Sequence, residues 1–158
     1  MSIKTIVVTM LFFISTQAHS LDGWLDIHLA SNHAQSTYID QSGNEVEYNQ
    51  NNFGLGLSLP VYSYIDARTG FFKNSYNNTT VYLGADFHTN SNKLISAGIN
   101  TGLVSGYKNS PVNTSTLALM LVPYLTLKVK NFRTQLGYIP AIDPKQVAVW
   151  TLSVGVKF

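Results

Sequence analysis

The sequence predicts an all-β chain in which eight antiparallel strands close into a barrel. Three observations carry this. The chain finishes on VAVWTLSVGVKF, where Trp150, Leu152, Val154, Val156 and Phe158 alternate with Thr151, Ser153, Gly155 and Lys157, a period of two with one wholly apolar face. Only 11% of its 158 residues are charged, against about 25% in a typical soluble domain, so its outside is adapted to something other than water. Between its two ends lie further alternating segments of about 10 residues, the length that crosses a bilayer as a tilted strand, with turn residues between them.

The elements follow in chain order. MSIKTIVVTMLFFISTQAHS places a lysine before the apolar run Ile6–Ile14 and then small residues at Ala18 and Ser20. This reads as a secretory signal peptide, residues 1–20, cleaved after Ser20; the run is too short for a membrane helix. Residues 21–158 are then one exported domain. Its last strand, amphipathic and ending in Phe158, resembles the C-terminal signature of bacterial outer-membrane barrels, so a transmembrane barrel of the outer-membrane type is expected.

The first strand is read over Trp24–His33, with Leu25, Ile27 and Leu29 toward lipid and His28 toward the lumen. The second, Tyr48–Leu59, sets Phe53, Leu55, Leu57 and Leu59 against Gly54, Gly56 and Ser58. The third, Tyr62–Phe72, sets Ile65, Ala67, Thr69 and Phe71 against Asp66, Arg68 and Gly70. The fourth, Thr79–His88, opposes Val81, Leu83, Ala85 and Phe87 to Tyr82, Gly84, Asp86 and His88. The fifth, Lys93–Val104, opposes Ile95, Ala97, Ile99 and Leu103 to Ser96, Gly98, Asn100 and Gly102. The seventh is Asn131–Tyr138 and the eighth is the C-terminal strand. Asp66, Arg68 and Asp86 all fall on the lumen face, where charge can be paired rather than stranded in hydrocarbon.

The sixth strand, Ser115–Leu127, breaks the alternation. Leucines at 117, 119, 121, 125 and 127 form one face, and Ala118, Met120, Val122 and Tyr124 make the other largely apolar as well. Either the lumen is apolar there or the small barrel is tightly packed. Pro123 cannot donate to a ladder and predicts a local gap in pairing, which is either a lateral opening toward the bilayer or a bulge.

An even-stranded barrel keeps both termini on the periplasmic side, with short turns there and longer loops outside. Pro60-Val61, Thr89–Asn92 and Lys128–Lys130 are read as the short turns. Segments 34–47, 73–78, 105–114 and 139–146 are read as the outer loops. An eight-stranded lumen holds side chains or one small ligand, which argues against a channel. A closed barrel needs no second copy to satisfy its edges, so a monomer is expected.

Composition excludes several function classes. There is no cysteine, hence no disulfide, no thiol catalysis and no thiolate zinc site. Ten basic and eight acidic side chains with no basic block give no nucleic-acid footprint. No metal and no cofactor is expected.

The candidate chemistry lies at the outer rim. FFKNSYNNTT (71–80) places Asn74 and Ser75 just past the third strand, and His33 ends the first. A serine needs a nearby base to become a useful nucleophile, and histidine is the usual one. The plain alternative is an ordinary Asn- and Ser-rich turn beside a solvated histidine. Parity gives His33 the lipid side of Leu25 and Ile27; a bulge near Ser31-Asn32, or the end of pairing there, is needed to turn it inward.

HAQSTY (33–38), YNQNNFGLGLS (48–58), FFKNS (71–75), LVPYL (121–125) and GYIPAI (137–142) occur in an order and spacing that resemble the PagP-type lipid A palmitoyltransferases, over roughly residues 28–158. The resemblance implies an eight-stranded barrel that moves a palmitoyl chain from an outer-membrane phospholipid to lipid A. It implies that His33 is the essential histidine and that Asn74-Ser75 matches the family's essential Asp-Ser pair. Pro123 would match a proline that interrupts strand pairing, and the apolar inner face of the sixth strand would line an acyl pocket. The chain departs from the pattern at Asn74, which is no carboxylate, and in the amphipathic helix that precedes the family's first strand, for which Leu21–Gly23 leave no room. Asn74 could orient His33 by a hydrogen bond, or Asp40, Glu45 or Glu47 could supply the missing charge.

Two functions of different class follow. One is an acyltransferase with His33 as general base and Ser75 as activated hydroxyl or oxyanion-site group, with deacylation to water as a variant. The other is a non-catalytic barrel with a structural, lipid-binding or partner-contacting role.

Overall fold

The computed structural model describes residues 22–89, 93–107, 110, 115–141 and 146–158; the expected signal peptide and its cleavage site lie outside the described residues. The strands are β1 (Trp24–His33), β2 (Thr37–Ile39), β3 (Glu45–Glu47), β4 (Asn51–Tyr62), β5 (Ile65–Lys73), β6 (Thr79–His88), β7 (Ile95–Ser105), β8 (Leu117–Val129), β9 (Phe132–Ile139) and β10 (Val149–Lys157). Eight of them close a barrel in the order β1-β10-β9-β8-β7-β6-β5-β4, and β2 and β3 form a separate hairpin. Every barrel neighbour is antiparallel, with β1 against β10 making the closure, from Trp24–Lys157 to His33–Val149. The expected fold is thus the observed one.

Alternation decides which side chains face where. Outward-facing residues form an apolar belt that includes Phe53, 66% exposed, Leu83 and Leu119, 86% exposed. A belt of this kind around a closed barrel suits hydrocarbon, where every backbone polar group must be satisfied within the ladder. The buried residues are mostly polar or charged instead, among them Asp26, Ser58, Asp66, Arg68, Asp86, Arg133 and Gln135. The molecule is therefore inverted relative to a soluble domain, and the sequence assignment of Asp66, Arg68 and Asp86 to the lumen holds.

The end of the lumen near the chain termini is filled by an ion cluster. Asp26 is fully buried. Arg133 Nε donates to its Oδ1 at 3.0 Å and Arg133 Nη2 to its Oδ2 at 2.7 Å, while Arg68 Nη2 at 3.2 Å and Ser58 Oγ at 2.7 Å donate to the same Oδ2. The Trp24 ring lies beside it, 4.6 Å from the Arg133 guanidinium carbon and 4.8 Å from Lys128 Nζ, both within cation–π range. Tyr124 donates to Asp86 close by. Gly70 pairs with Tyr82 and Gly56 with Gly70, and the two glycines leave the space over which the Tyr82 hydroxyl lies; a Cβ at either would meet it.

Three connections differ from expectation. Pro60 and Val61 lie inside β4, which runs on to Tyr62 and pairs it with Ile65 across the turn at Ser63-Tyr64. Pro60 pairs with Asp66 beside the register shift between Pro60 and Tyr62, a position at which a strand tolerates proline. Lys128 and Val129 likewise belong to β8, and the turn is Lys130-Asn131, with Lys130 at φ 53°. Segment 34–47 is not merely polar loop: it folds the β2–β3 hairpin around Asp40, whose Oδ1 accepts from Ser42 N at 2.8 Å and Asn44 N at 2.9 Å, an Asx-type turn.

Candidate active site

Strict alternation would leave His33 facing lipid, but β1 does not alternate strictly. Its register against β10 passes from His28–Ser153 to Ala30–Leu152, and against β4 from His28–Gly54 to Ala30–Asn51. One extra residue at this bulge exchanges the faces beyond it. Trp24 and Asp26 are buried before the bulge, and Ser31 and His33 after it. The bulge comes a few residues earlier than the Ser31-Asn32 position that parity suggested.

Ser75 is presented by a tight turn past β5. Asn74 N donates to Asn78 O and Asn77 N to Asn74 O, with Asn77 at φ 63°. The Asn74 side chain is fully buried at the centre of this turn. Its Oδ1 accepts from Tyr76 N and Asn78 N, each at 3.0 Å, and its Nδ2 donates to Thr80 Oγ1 at 3.1 Å and to Gly106 O at 2.9 Å. Those four bonds use both amide hydrogens and both carbonyl lone pairs. Asn74 therefore builds the turn that carries Ser75, and all four of its bonds lie away from His33. Of the acidic residues of the first loop, Asp40 holds its own turn, Glu45 accepts from Thr37 Oγ1, and Glu47 is exposed on β3.

The turn is tied to β1 through one short segment that the sequence reading passed over. Asn49 N donates to Ser75 O at 2.8 Å, and Asn49 Nδ2 to Asn74 O at 3.0 Å. Its neighbour Tyr48 stacks on His33 with ring centroids 4.2 Å apart and planes 3° from parallel. Tyr38 and Tyr76 pack against Tyr48, and Tyr107 against Tyr76. Burial pushes the phenols of Tyr48 and Tyr76 above their ordinary range and that of Tyr107 up to about 12. They are neutral at physiological pH and serve as packing and hydrogen-bonding groups, not as bases.

The outcome is a hydrogen bond between His33 Nε2 and Ser75 Oγ at 2.9 Å. With Ser75 O–H donating to Nε2, the imidazole carries its own hydrogen on Nδ1, and Nδ1 has no partner among the described residues. This is nucleophile–base geometry in which a stacked ring, rather than a carboxylate, abuts the histidine. Nothing in sequence spacing marks Tyr48 or Asn49; only the resemblance motif beginning at Tyr48 points near them. Among the described residues no group of His, Asp and Glu could hold a metal ion.

The pair stands at the mouth of a lumenal cavity of about 470 Å³, within the usual size of small-ligand sites. Phe72, Val104, Ala118, Met120 and Val122 make an apolar middle, and Arg68 and Asn100 reach it at the inner end. The β8–β9 ladder runs from Val129–Phe132 to Tyr124–Gly137 and stops where Pro123 follows, whereas β8 stays paired with β7 up to Leu117–Ser105. The outward-facing Leu119 and Leu121 also line the cavity, so it reaches the outer face beside this unpaired stretch.

Fold and site together define a small eight-stranded barrel of the outer-membrane type with a ligand-sized lumenal cavity. No protein-family model matches the chain, and no curated protein matches it by sequence. Its structure is similar to the N-terminal β-barrel domain of Pseudomonas aeruginosa OprF, at 10% identity over 87% of this chain and 98% of that one, TM-score 0.56. It is similar to the de novo designed barrel TMB2.3, at 12% identity over 89% and 98%, TM-score 0.56. It is also similar to Yersinia pestis Ail, the attachment invasion locus protein, solved with the heparin analogue sucrose octasulfate, at 17% identity over 87% and 98%, TM-score 0.52. At such identities the likeness carries the fold alone.

Proposed function

We propose that this chain is a lipid-modifying enzyme of the bacterial outer membrane, a divergent PagP-like acyltransferase that moves a fatty acyl chain from a phospholipid to lipid A at the outer leaflet. The observation that carries this reading is the 2.9 Å bond between His33 Nε2 and Ser75 Oγ at the mouth of an apolar cavity. In the proposed reaction His33 takes the Ser75 proton as the oxygen attacks the ester carbonyl of the phospholipid. The ester C–O bond breaks, and the lysophospholipid alcohol leaves with that proton. The acyl group on Ser75 then passes to a hydroxyl of lipid A, whose proton returns through His33 to Ser75. The apolar middle of the cavity is the place for the acyl chain, and the unpaired stretch above Pro123 supports entry from the bilayer. The outward apolar belt and the expected signal peptide support the outer-membrane location.

A second reading, a non-catalytic barrel that binds lipid or contacts a partner, is favoured by one observation: Asn74 stands where the resembling family has aspartate, and its bonds are all spent on the turn. The two readings part in a purified system. Wild-type protein in detergent, given a labelled phospholipid and lipid A, should release lysophospholipid and acylate lipid A, and His33→Ala should do neither. Lysophospholipid and free fatty acid without acylated lipid A would make it a deacylase. No product in any reaction would leave the non-catalytic barrel.

A further inference from the structure

Four of the five described lysines, Lys93, Lys128, Lys130 and Lys157, stand at the terminal end of the barrel. Strand register gathers them on one arc of its rim. β7 and β8 pair as far as Ile95–Leu127, and Lys128 N donates to Leu94 O at 2.8 Å, so the pairing runs on past β7 and leaves Lys93 beside Val129 and Lys130. On the other side, Lys157 N donates to Asn131 O at 2.8 Å, next to Lys130. Lys93, Lys130 and Lys157 thus follow one another along the rim from β7 to β10. Lys128 shares the lumen face of Tyr124 and Thr126 and turns over the Trp24 ring.

The acids of this end leave the arc basic. Asp26 serves Arg68 and Arg133, Asp66 lies against His88, and Asp86 accepts from Tyr124. Asp22 pairs with Lys157 at 2.8 Å. Lys93 and Lys130 are exposed and have no acidic partner among the described residues. The surface beside them is apolar: Leu94, Ile95, Val129 and Phe132 are each more than half exposed. Cations at the edge of an apolar belt stand at the level of lipid headgroups. The rim at the turn after β4 differs, with Tyr62 and Tyr64 exposed and no cation.

We propose that this arc binds an anionic phospholipid of the inner leaflet, its headgroup phosphate between Lys93 and Lys130 and its acyl chains along Leu94, Ile95, Val129 and Phe132. A soluble acidic partner would meet the lysines and leave the apolar strip unused. A zwitterionic lipid would cover the strip but bring its own ammonium group against the lysines. An anionic phospholipid complements both. This site is independent of the reaction proposed at the other end of the lumen.

The test is native mass spectrometry of the purified full-length barrel, released from micelles that carry phosphatidylglycerol and phosphatidylethanolamine in equal amounts. Phosphatidylglycerol should be retained roughly tenfold in preference, the scale set by two lysines at an anionic headgroup, and the preference should fall as salt is raised. The double variant Lys93→Gln, Lys130→Gln should bring the two lipids to parity, whereas Lys73→Gln at the loop end should leave the preference as it was. Equal retention by the wild-type barrel, or a preference indifferent to salt, would overturn the proposal. So would a preference that survives the double variant, or one that Lys73→Gln removes equally well. Displacement of the lipid by excess glycerol 3-phosphate, which carries the charge without the chains, would make this a phosphate site and overturn the lipid as its occupant. Where the double variant fails to fold, the wild-type preference and its salt dependence decide.

Discussion

At the terminal end of the lumen, Asp26 is wholly buried and receives Arg133, Arg68 and Ser58 on its two oxygens. At the loop end, His33, Ser31 and Asn52 are buried with one polar atom each left open. The same barrel thus holds a satisfied polar cluster and an unsatisfied one, a short distance apart along the same strands. The first is a structural plug, because a buried charge is tolerable only when paired. In the second, residues that line the cavity keep buried polar atoms without a partner among the described residues. Arg68 joins the two: its Nη2 serves the plug through Asp26, and its Nη1 donates to Asn100, which lines the cavity.

The contrast can be broken at either end. Asp26→Ala strands two guanidiniums in the lumen and should cost about 3–5 kcal/mol, read as a fall in the urea midpoint of the detergent-solubilised barrel; a change below about 1 kcal/mol would show that water reaches the plug. At the loop end the largest effect should be on turnover. Tyr48→Leu removes the ring stacked on His33 and should slow acyl transfer roughly ten- to hundred-fold through misorientation, with Tyr48→Phe near wild type. Equal rates in both variants would make Tyr48 packing alone.

Asn74→Asp sharpens the comparison further. The substitution replaces the Nδ2 donor with a carboxylate oxygen facing Gly106 O, so it should destabilise by about 1–3 kcal/mol and bring no carboxylate to His33. A gain of activity without loss of stability would contradict that. The smallest effect is expected far from both clusters: Lys130 occupies a left-handed backbone at φ 53°, and Lys130→Gly should raise stability by at most about 1 kcal/mol, seen in the same urea titration.

Much of this architecture was legible in the sequence because strand parity in a membrane barrel is enforced on both faces. Leu25, Val81 and Leu119 had to point out, and Asp66, Arg68 and Asp86 had to point in. The break in pairing at Pro123 was legible for an equally local reason, the missing N–H. The candidate site was less so. His33 reaches the lumen only because β1 gains a residue between His28 and Ala30, and no Gly, Pro or polar residue marks that bulge; parity alone put the histidine in lipid. Asn74 was read as a candidate partner of His33, yet its side chain turns toward Thr80, six residues on in the same hairpin, and toward Gly106, which the pairing of β6 with β7 brings beside it. Tyr48 and Asn49 stand in the resemblance motif, but their role was not legible, since what they do depends on the return of residues 74–75 across the rim.

The central claim is that the His33–Ser75 pair performs acyl transfer while the plug beneath it only holds the barrel. The most direct measurement is the mass spectrum of lipid A from cells producing the wild-type protein or Ser75→Ala at matched levels of folded barrel. Wild-type cells should show lipid A heavier by one acyl chain, and Ser75→Ala cells should not. Lipid A of the same mass in both would contradict the account.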